Sequence, residues 1–361
     1  MQQIILKNVK NCRQISSANI LICEYSIYIH HGIIKKNCIF RTYQKRELIN
    51  HSNIIMKRID FLRTSIGGSL AAGAALKMGG FEKLLSSSSS TSKYDMVAVM
   101  GGNPDAMFDL GIQELGGMGT FVKKGQKVLV KPNIGWDVIP EFAANTNPLL
   151  VKRIIEHCFK AGAKEVYVFD HTCDNWVNCY KNSAIEKYAK SAGAKVVPGN
   201  SESYYQQIEI PGGVKLQKAK VHQLLLETDV YINVPVLKDH NSLKMTCCLK
   251  NSMGLVWDRG YWHSNDLNQC IADFALYEKK PALNVIDCYN VIVKHGPQGV
   301  SKEDIVSMKS QILTTDWVAG DAAAAKMLGV AVEKIEYIPI AHKMGLGNMN
   351  LESLNIKKIK M

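Results

Sequence analysis

The segment 233–254 places three lysines, a histidine and three asparagines, the last of them Asn251, among Leu, Met, Thr and Cys residues. No acidic residue lies between Asp239 and Asp258, so this positive charge has no local compensation. Uncompensated lysines beside small side chains suit a phosphate, a carboxylate or an enolate-like intermediate. We therefore predict that the lysines and Asn251 bind substrate and that the histidine moves protons. The residues concerned are Lys238, Lys244, Lys250, Asn251 and His240.

A helix over residues 242–253 is the structure expected for the later part of this segment. It would place Lys244, Cys248 and Asn251 on one face, at the spacing i, i+4 and i+7. An amphipathic surface helix with solvated lysines is the alternative interpretation, since lysine side chains are mostly exposed.

Polar residues also follow several apolar runs that are typical of buried strands. Lys131 and Asn133 follow one run, while Asp170 and Asp287 end two others. Lys131 could equally be a strand-end lysine that reaches solvent. Strand-like runs alternate with helical patterns from residue 93 onward. This order predicts an α/β domain with a mainly parallel or mixed sheet and helices on both faces. Because ligands bind beyond the carboxyl ends of such strands, these groups are expected to converge on one substrate site, with Asp287 catalytic.

Residues 294–299 form a glycine- and proline-rich loop that could approach a ligand closely. We predict a catalytic role for His295 and substrate-binding roles for Gly296 and Gly299. A divalent metal is left open, with Asp170, His240 and His263 as weak candidate ligands, because no HxxxH or HxH spacing occurs. The chain also lacks GxGxxG, GxxxxGK[ST] and GxSxG, which excludes nucleotide binding or hydrolysis through those motifs.

Local signals define several elements. A helix is expected from Asn147 and Pro148, a cap followed by proline at the first helical position, to Gly162. Asp316 is expected to cap a helix that Gly329 ends. Residues 208–216 suggest a hairpin and 332–337 the start of a last helix.

The formal net charge of +12 lies mostly outside the part that looks folded. Residues 1–92 carry +9 of it, and the remaining residues carry +3. A near-neutral body without a basic stripe gives no reason to expect nucleic-acid binding. The ten cysteines include no CxxC pair, so no iron–sulfur cluster of the chain's own is expected. A Cys173–Cys179 disulfide is left open.

The N-terminal part divides into three segments by composition. Residues 1–55 are rich in Ile and Asn without sustained periodicity, and we interpret them as a disordered, non-native upstream extension. Residues 56–80 have a basic start and a short apolar stretch, which is typical of an export signal. They resemble a twin-arginine signal in which Ile59 stands in place of the second arginine. Residues 81–93 form a serine-rich linker, and residues 94–361 form the α/β domain.

An ordered set of short motifs runs from about residue 96 to the end of the chain. The matching stretches are 128–133, 146–148, Asp170, 233–240, 249–254, His263, Asp273, 285–287, 296–299, 321–323 and 345–351. This set resembles the DUF362 family of bacterial and archaeal proteins. Some relatives carry ferredoxin-type segments, so the resemblance implies a redox partner as one option. The family is also similar, by analogy of fold, to nickel-dependent lactate racemase.

Two functions are compatible with these residues. The first is an exported enzyme that acts on a small anionic substrate through a Lys/His/Asp cluster. The second is an exported, non-catalytic protein that binds an anionic ligand or a metal. Loop histidines beside lysines favour catalysis, whereas the lack of a recognised nucleophile–base pair favours binding.

Overall fold

The computed structural model describes residues 93–361 and the backbone of three strands nearer the N-terminus. The chain forms two compact units, Met1–Lys57 and Arg58–Met361. In the first unit, the strands form an antiparallel sheet in the order β1-β2-β3. Their bounds are Val9–Ile15 (β1), Ile20–Ile29 (β2) and Gly32–Arg41 (β3). The interpretation of residues 1–55 as a disordered, non-native upstream extension stays a prediction.

The export-signal prediction for residues 56–80 lies outside the described residues, as does all but the last residue of the linker. Within the part of the chain that the structure describes, no helix has the length and apolar character needed to cross a membrane.

The second unit is built on a mixed sheet whose main path runs β15-β4-β14-β13-β10-β5-β6-β7. The strands from β13 to β7 along this path are parallel, and β14 is antiparallel to both of its neighbours. The path strands are Met96–Met100 (β4), Lys127–Pro132 (β5), Glu165–Val168 (β6), Lys195–Val196 (β7), Val230–Val234 (β10), Leu283–Ile292 (β13), Ile305–Thr314 (β14) and Ile356–Lys360 (β15).

Two short hairpins add to this framework. Val236–His240 (β11) continues the chain beyond Pro235, runs parallel to β13 and pairs with Lys244–Thr246 (β12). Tyr205–Glu209 (β8) and Lys218–His222 (β9) pair separately. The hairpin predicted at 208–216 is therefore present and turns where the sequence indicated. Its strands, however, begin before residue 208 and end after residue 216.

Helices cover both faces of the sheet, as the sequence predicted. Alternate residues of β4 point to opposite faces, so Val97 and Val99 enter one core and Met96 and Ala98 the other. The helices are Pro104–Glu114 (α1), Pro148–Lys160 (α2), Trp176–Asn182 (α3), Ile185–Ser191 (α4), Gln223–Glu227 (α5), Cys248–Asn251 (α6), Arg259–Ser264 (α7), Leu267–Phe274 (α8), Trp317–Leu328 (α9) and Tyr337–Lys343 (α10).

The capping signals read from the sequence are confirmed. The Asn147 side chain accepts a hydrogen bond from the Leu149 N–H at the start of α2. Asp316 accepts from two backbone N–H groups at the start of α9, and Gly329 ends that helix with a φ of 74°.

Two predicted helices are wrong. Residues 242–253 form β12, then α6, then a 3₁₀ turn, because β12 pairs with β11 and leaves too few residues for one long helix. Residues 332–334 form a 3₁₀ turn, and the last helix, α10, begins only at Tyr337.

Candidate functional site

A cavity of about 380 Å³ lies where the loops after β5 and β6 meet β11, β12, α6 and α7. Cationic, amide and imidazole side chains dominate its lining. The lining residues are Asn133, Gly135, Trp136, Asp170, His171, Cys173, Lys238, His240, Thr246, Lys250, Asn251, Met253, Gly254, Arg259, His263 and Pro297. Most of the predicted site residues are therefore brought together.

A buried ion pair lies beside the cavity. Lys131 Nζ is 2.7 Å from Asp170 Oδ1, and the two side chains are 0% and 2% exposed. Asp170 Oδ2 also accepts the Ile134 N–H at 2.6 Å, which fixes the loop after β5. Burial lowers the pKa of Lys131, and the Asp170 carboxylate opposes that effect by favouring the ammonium. The pair is internally compensated and adds no net charge to the cavity.

Buried amides connect this pair to the sheet. Asn251 Oδ1 accepts from Lys131 Nζ at 3.2 Å and from Asn133 Nδ2 at 3.1 Å. Asn251 Nδ2 donates to Asn233 Oδ1 at 2.8 Å, and Asn233 Nδ2 donates to Asn284 Oδ1 at 2.9 Å. Because each amide is held by several partners, Asn251 is fixed in one orientation at the cavity wall.

Lys238 is buried and bridges two loops. Its ammonium donates to Asn133 Oδ1 at 2.9 Å and to the Ala144 carbonyl. Burial and, to a smaller extent, the positive charge of Lys250 lower the pKa of Lys238 to about 7. The two hydrogen bonds favour the charged form.

Lys250 and Arg259 bring further positive charge to the cavity. Within residues 93–361, the Lys250 ammonium has neither a hydrogen bond nor a carboxylate at ion-pair distance. Burial lowers the pKa of Lys250 to about 8, and the Arg259 guanidinium contributes to the shift. Arg259 is anchored by donating to the carbonyls of His171, at 2.9 Å, and Thr172, at 2.7 Å. We call Lys238, Lys250 and Arg259 the cation cluster.

The cavity histidines are kept neutral. Burial and then the charge of Arg259 lower the pKa of His171, while burial and the charges of Lys250 and Lys238 lower that of His240 to about 3. His171 Nδ1 lies 2.8 Å from the Val256 carbonyl, which can only accept, so Nδ1 carries the proton and Nε2 keeps its lone pair. His240 Nδ1 accepts from the Leu243 N–H at 3.3 Å, so its Nε2 carries the proton. The two rings thus offer an acceptor and a donor.

A family model described as "Domain of unknown function (DUF362)" matches residues 128–326, more than half of the chain. The chain belongs to the DUF362 family. The thylakoid-associated protein sll1697 of Synechocystis sp. (strain ATCC 27184 / PCC 6803 / Kazusa) is 28% identical to this DUF362 chain over 154 residues.

That match covers 42% of this chain and 46% of the relative. Among solved structures, the lactate racemase apoprotein from Thermoanaerobacterium thermosaccharolyticum aligns at a TM-score of 0.39 and 13% identity. The alignment covers 73% of this chain and 58% of that one. In both cases the DUF362 chain spans only about half of the other protein's length.

Six of the predicted site residues do not line the cavity of this DUF362 protein, among them Lys131, which lies beside it in the buried ion pair. Asp287 lies within β13, which continues to Ile292, and its carboxylate accepts the Asn147 and Tyr289 N–H groups. Burial raises its pKa to about 6. His295 is 63% exposed and pairs with Asp304 at 2.8 Å. The others are Lys244, which is exposed on β12, and Gly296 and Gly299, which shape the loop before and after Pro297.

The metal candidates Asp170, His240 and His263 line the cavity, but they do not form a compact ligand set. Among the described residues, the group whose candidate ligand atoms lie within 4.8 Å of one another is Cys247, Cys248 and Asp321. Asp321 accepts the backbone N–H of Cys248 at 2.5 Å and of Leu249 at 3.1 Å, so it caps α6. This structural role accounts for the cluster. Cys173 and Cys179 are both free thiols.

Arg259 and Thr246 were missed by the sequence analysis. Arg259 stands in an aromatic-rich stretch without a spacing relation to the lysines. His171 directly follows Asp170 at a strand end, which marked its position, but the sequence analysis gave it no role. Thr246 Oγ1 is buried at the cavity wall and has no hydrogen-bond partner in the described part of the chain. A buried hydroxyl without a partner is costly unless a ligand or water satisfies it.

We expect Gly254→Ala to unfold or strongly destabilise the protein. A Cβ at this position would lie 1.8 Å from Asp170 Oδ1 and 2.6 Å from Lys131 Nζ, so the buried ion pair would have to move. Overpacking of this kind costs about 3 kcal/mol of unfolding free energy or more. Urea denaturation measures the change.

Gly260→Ala is the matched control, because no heavy atom lies within 4 Å of its Cβ position and the residue lies in α7. Its stability should be unchanged or slightly higher, since alanine favours helix. Equal losses in both variants would contradict the close approach of Gly254 to the ion pair.

Proposed function

We propose that this DUF362 protein is an enzyme that acts on a small anionic substrate in the cation-lined cavity. The observation that supports the proposal is the charge balance of the cavity. Asp170 is the lining carboxylate, and it is paired with Lys131. The cation cluster therefore has no carboxylate partner among the described residues. Lys238 is buried and Lys250 and Arg259 are half-buried, so their positive charges repel one another in a partly desolvated cavity, and a bound anion would stabilise this arrangement.

Catalysis rather than simple binding is supported by the two histidines. His171 Nε2 has a lone pair, and His240 Nε2 carries a proton. Both rings line the same cavity as the cation cluster. A base and a hydrogen-bond donor beside an anion site can remove a proton from a bound substrate and stabilise the charge that develops.

The proposal also includes function outside the cytoplasm. It is supported by the signal-like residues 56–80 and by the name of a thylakoid-associated relative. N-terminal sequencing of the natural product tests it, because a mature chain that still begins before residue 56 would contradict an export signal at Met56.

A thermal-shift screen of the full chain with carboxylates and phosphate tests the anion site. We expect at least one anion to raise the melting temperature and Lys250→Met to weaken its binding about tenfold or more, the value of one lost charged contact. Lys250 makes no hydrogen bond within the described residues, so its replacement should leave the fold intact.

Lys244→Met is the control, because this lysine lies four residues from His240 on the same hairpin but does not line the cavity. It should bind the anion as the unmodified protein does. The anion site would be disproved if no anion shifted the melting temperature, or if both variants weakened binding equally.

A further inference from the structure

The three lysines at the cavity differ in what their amino groups contact. Lys131 Nζ is bound by Asp170, by the Pro132 carbonyl and by Asn251. Lys238 Nζ donates to Asn133 and Ala144. Hydrogen bonds to fixed acceptors favour the ammonium form of a lysine, which has no lone pair. Lys250 has no such acceptor within residues 93–361, so its amine can lose a proton without breaking a hydrogen bond.

The surroundings of Lys250 also favour the neutral amine. Burial and the nearby Arg259 charge lower its pKa to about 8, so an appreciable fraction is unprotonated near neutral pH. Arg259 remains beside it as a cation that can hold a carboxylate, and the Lys238 amine, which is charged below about pH 7, is a further hydrogen-bond donor. A lysine desolvated next to other cationic groups is a typical amine nucleophile towards carbonyl compounds.

We propose that Lys250 forms an imine with a small 2-oxo acid whose carboxylate is held by Arg259 and Lys238. The inference rests on the proposed anion site and names its substrate class. Two features of a 2-oxo acid match the cavity. Its carboxylate complements the cation cluster. Its carbonyl carbon is bonded directly to the carboxylate carbon, so a carboxylate held by Arg259 brings the carbonyl group close to the Lys250 amine. The unpartnered hydroxyl of Thr246 offers a further donor to the substrate.

The chemical step balances without a redox partner. The Lys250 lone pair attacks the carbonyl carbon, the C–N bond forms as the C=O π bond breaks, and the oxygen becomes an alkoxide beside a protonated nitrogen. His171 Nε2 can accept one proton from that nitrogen and pass it to the alkoxide, which becomes a hydroxyl. A second proton, from solvent, lets the hydroxyl leave as water while the nitrogen lone pair forms the C=N bond of the protonated imine, and hydrolysis reverses these steps and returns the proton to solvent.

Reductive trapping tests the inference. The full chain is incubated near pH 8 with glyoxylate, pyruvate or 2-oxoglutarate, reduced with sodium borohydride, and examined by intact and peptide mass spectrometry. We expect a stable adduct of the 2-oxo acid on Lys250. The corresponding 2-hydroxy acids, which have no carbonyl group, should give none.

Two variants define the specificity of the label. Lys250→Arg keeps the positive charge but cannot form the imine, so its adduct should be lost while circular dichroism shows an intact fold. Lys244→Arg should be labelled as fully as the unmodified protein. An adduct that stays in Lys250→Arg, or that maps to other lysines, would overturn the inference.

The failures of the two proposals are distinguishable. If 2-oxo and 2-hydroxy acids give the same thermal shift and no adduct forms, the imine is disproved and the anion site stands. If no anion in the panel produces a shift and no adduct forms, both proposals fall.

Discussion

Asp170→Asn is expected to lower the free energy of unfolding by about 3–5 kcal/mol, because it leaves the buried Lys131 ammonium without a counter-charge. Lys131 is 0% exposed, so water cannot replace the carboxylate. An asparagine oxygen could still accept one hydrogen bond, but it brings no negative charge. The same change would weaken the hydrogen bond to the Ile134 N–H and so loosen the loop after β5. Urea denaturation of the full chain measures the loss.

The exposed pair Lys190–Glu186 provides the comparison. Its atoms lie 2.6 Å apart at i, i+4 spacing on α4, but Lys190 is 59% exposed. Glu186→Gln should therefore cost only about 0.3–0.5 kcal/mol. A double replacement, Lys131→Met with Asp170→Leu, should recover part of the stability because no unpaired charge remains. If Asp170→Asn cost no more than Glu186→Gln, Lys131 could not be a buried ammonium that depends on Asp170.

Anion affinity is expected to fall as the pH rises through the alkaline range. An anion binds the protonated amine, and the pKa of unliganded Lys250 is about 8. Below that value the ammonium is present and affinity is at its highest. Above it, Lys250 in the free protein loses its charge, and the affinity falls about tenfold per pH unit because binding must then take up one proton. The bound anion raises the pKa of Lys250, and the tenfold fall per pH unit holds up to that raised pKa. Lys238, whose pKa is about 7, adds an earlier and shallower decline.

Isothermal titration with a carboxylate that has no carbonyl group measures this profile between pH 6.5 and 9.5. Lys250→Arg is the matched control, because arginine stays charged across the range and should remove the part of the decline that begins near pH 8, leaving the part linked to Lys238. An affinity that rises with pH, or a profile that Lys250→Arg leaves unchanged, would show that Lys250 does not bind the anion.

Much of the fold could be predicted because its signals are local. Asn147 and Asp316 bond the backbone a few residues away, and Gly329 adopts the left-handed conformation that its residue type favours. Strand ends were also informative, since Lys131 lies near the end of β5 and Asp170 follows the end of β6, and these strands are neighbours in the sheet. Parallel neighbours bring their carboxyl ends together whatever the rest of the chain does.

The errors arose where distant pairing decides the structure. Asp287 was placed at a strand end, but pairing with β14 extends β13 to Ile292 and turns that carboxylate into a loop anchor. The helix expected at 242–253 is replaced by β12 because β11 offers a partner strand. Arg259 joins the cavity through hydrogen bonds to the loop after β6, 87 and 88 residues away in sequence, which local spacing could not reveal.

A crystal structure of the full chain, soaked with the carboxylate or phosphate that gives the largest thermal shift, tests the central claim most directly. The account predicts electron density for the anion inside the cavity, within hydrogen-bonding distance of Lys250 Nζ and the Arg259 guanidinium. An anion that binds elsewhere on the protein, with the cavity holding only water, would contradict it.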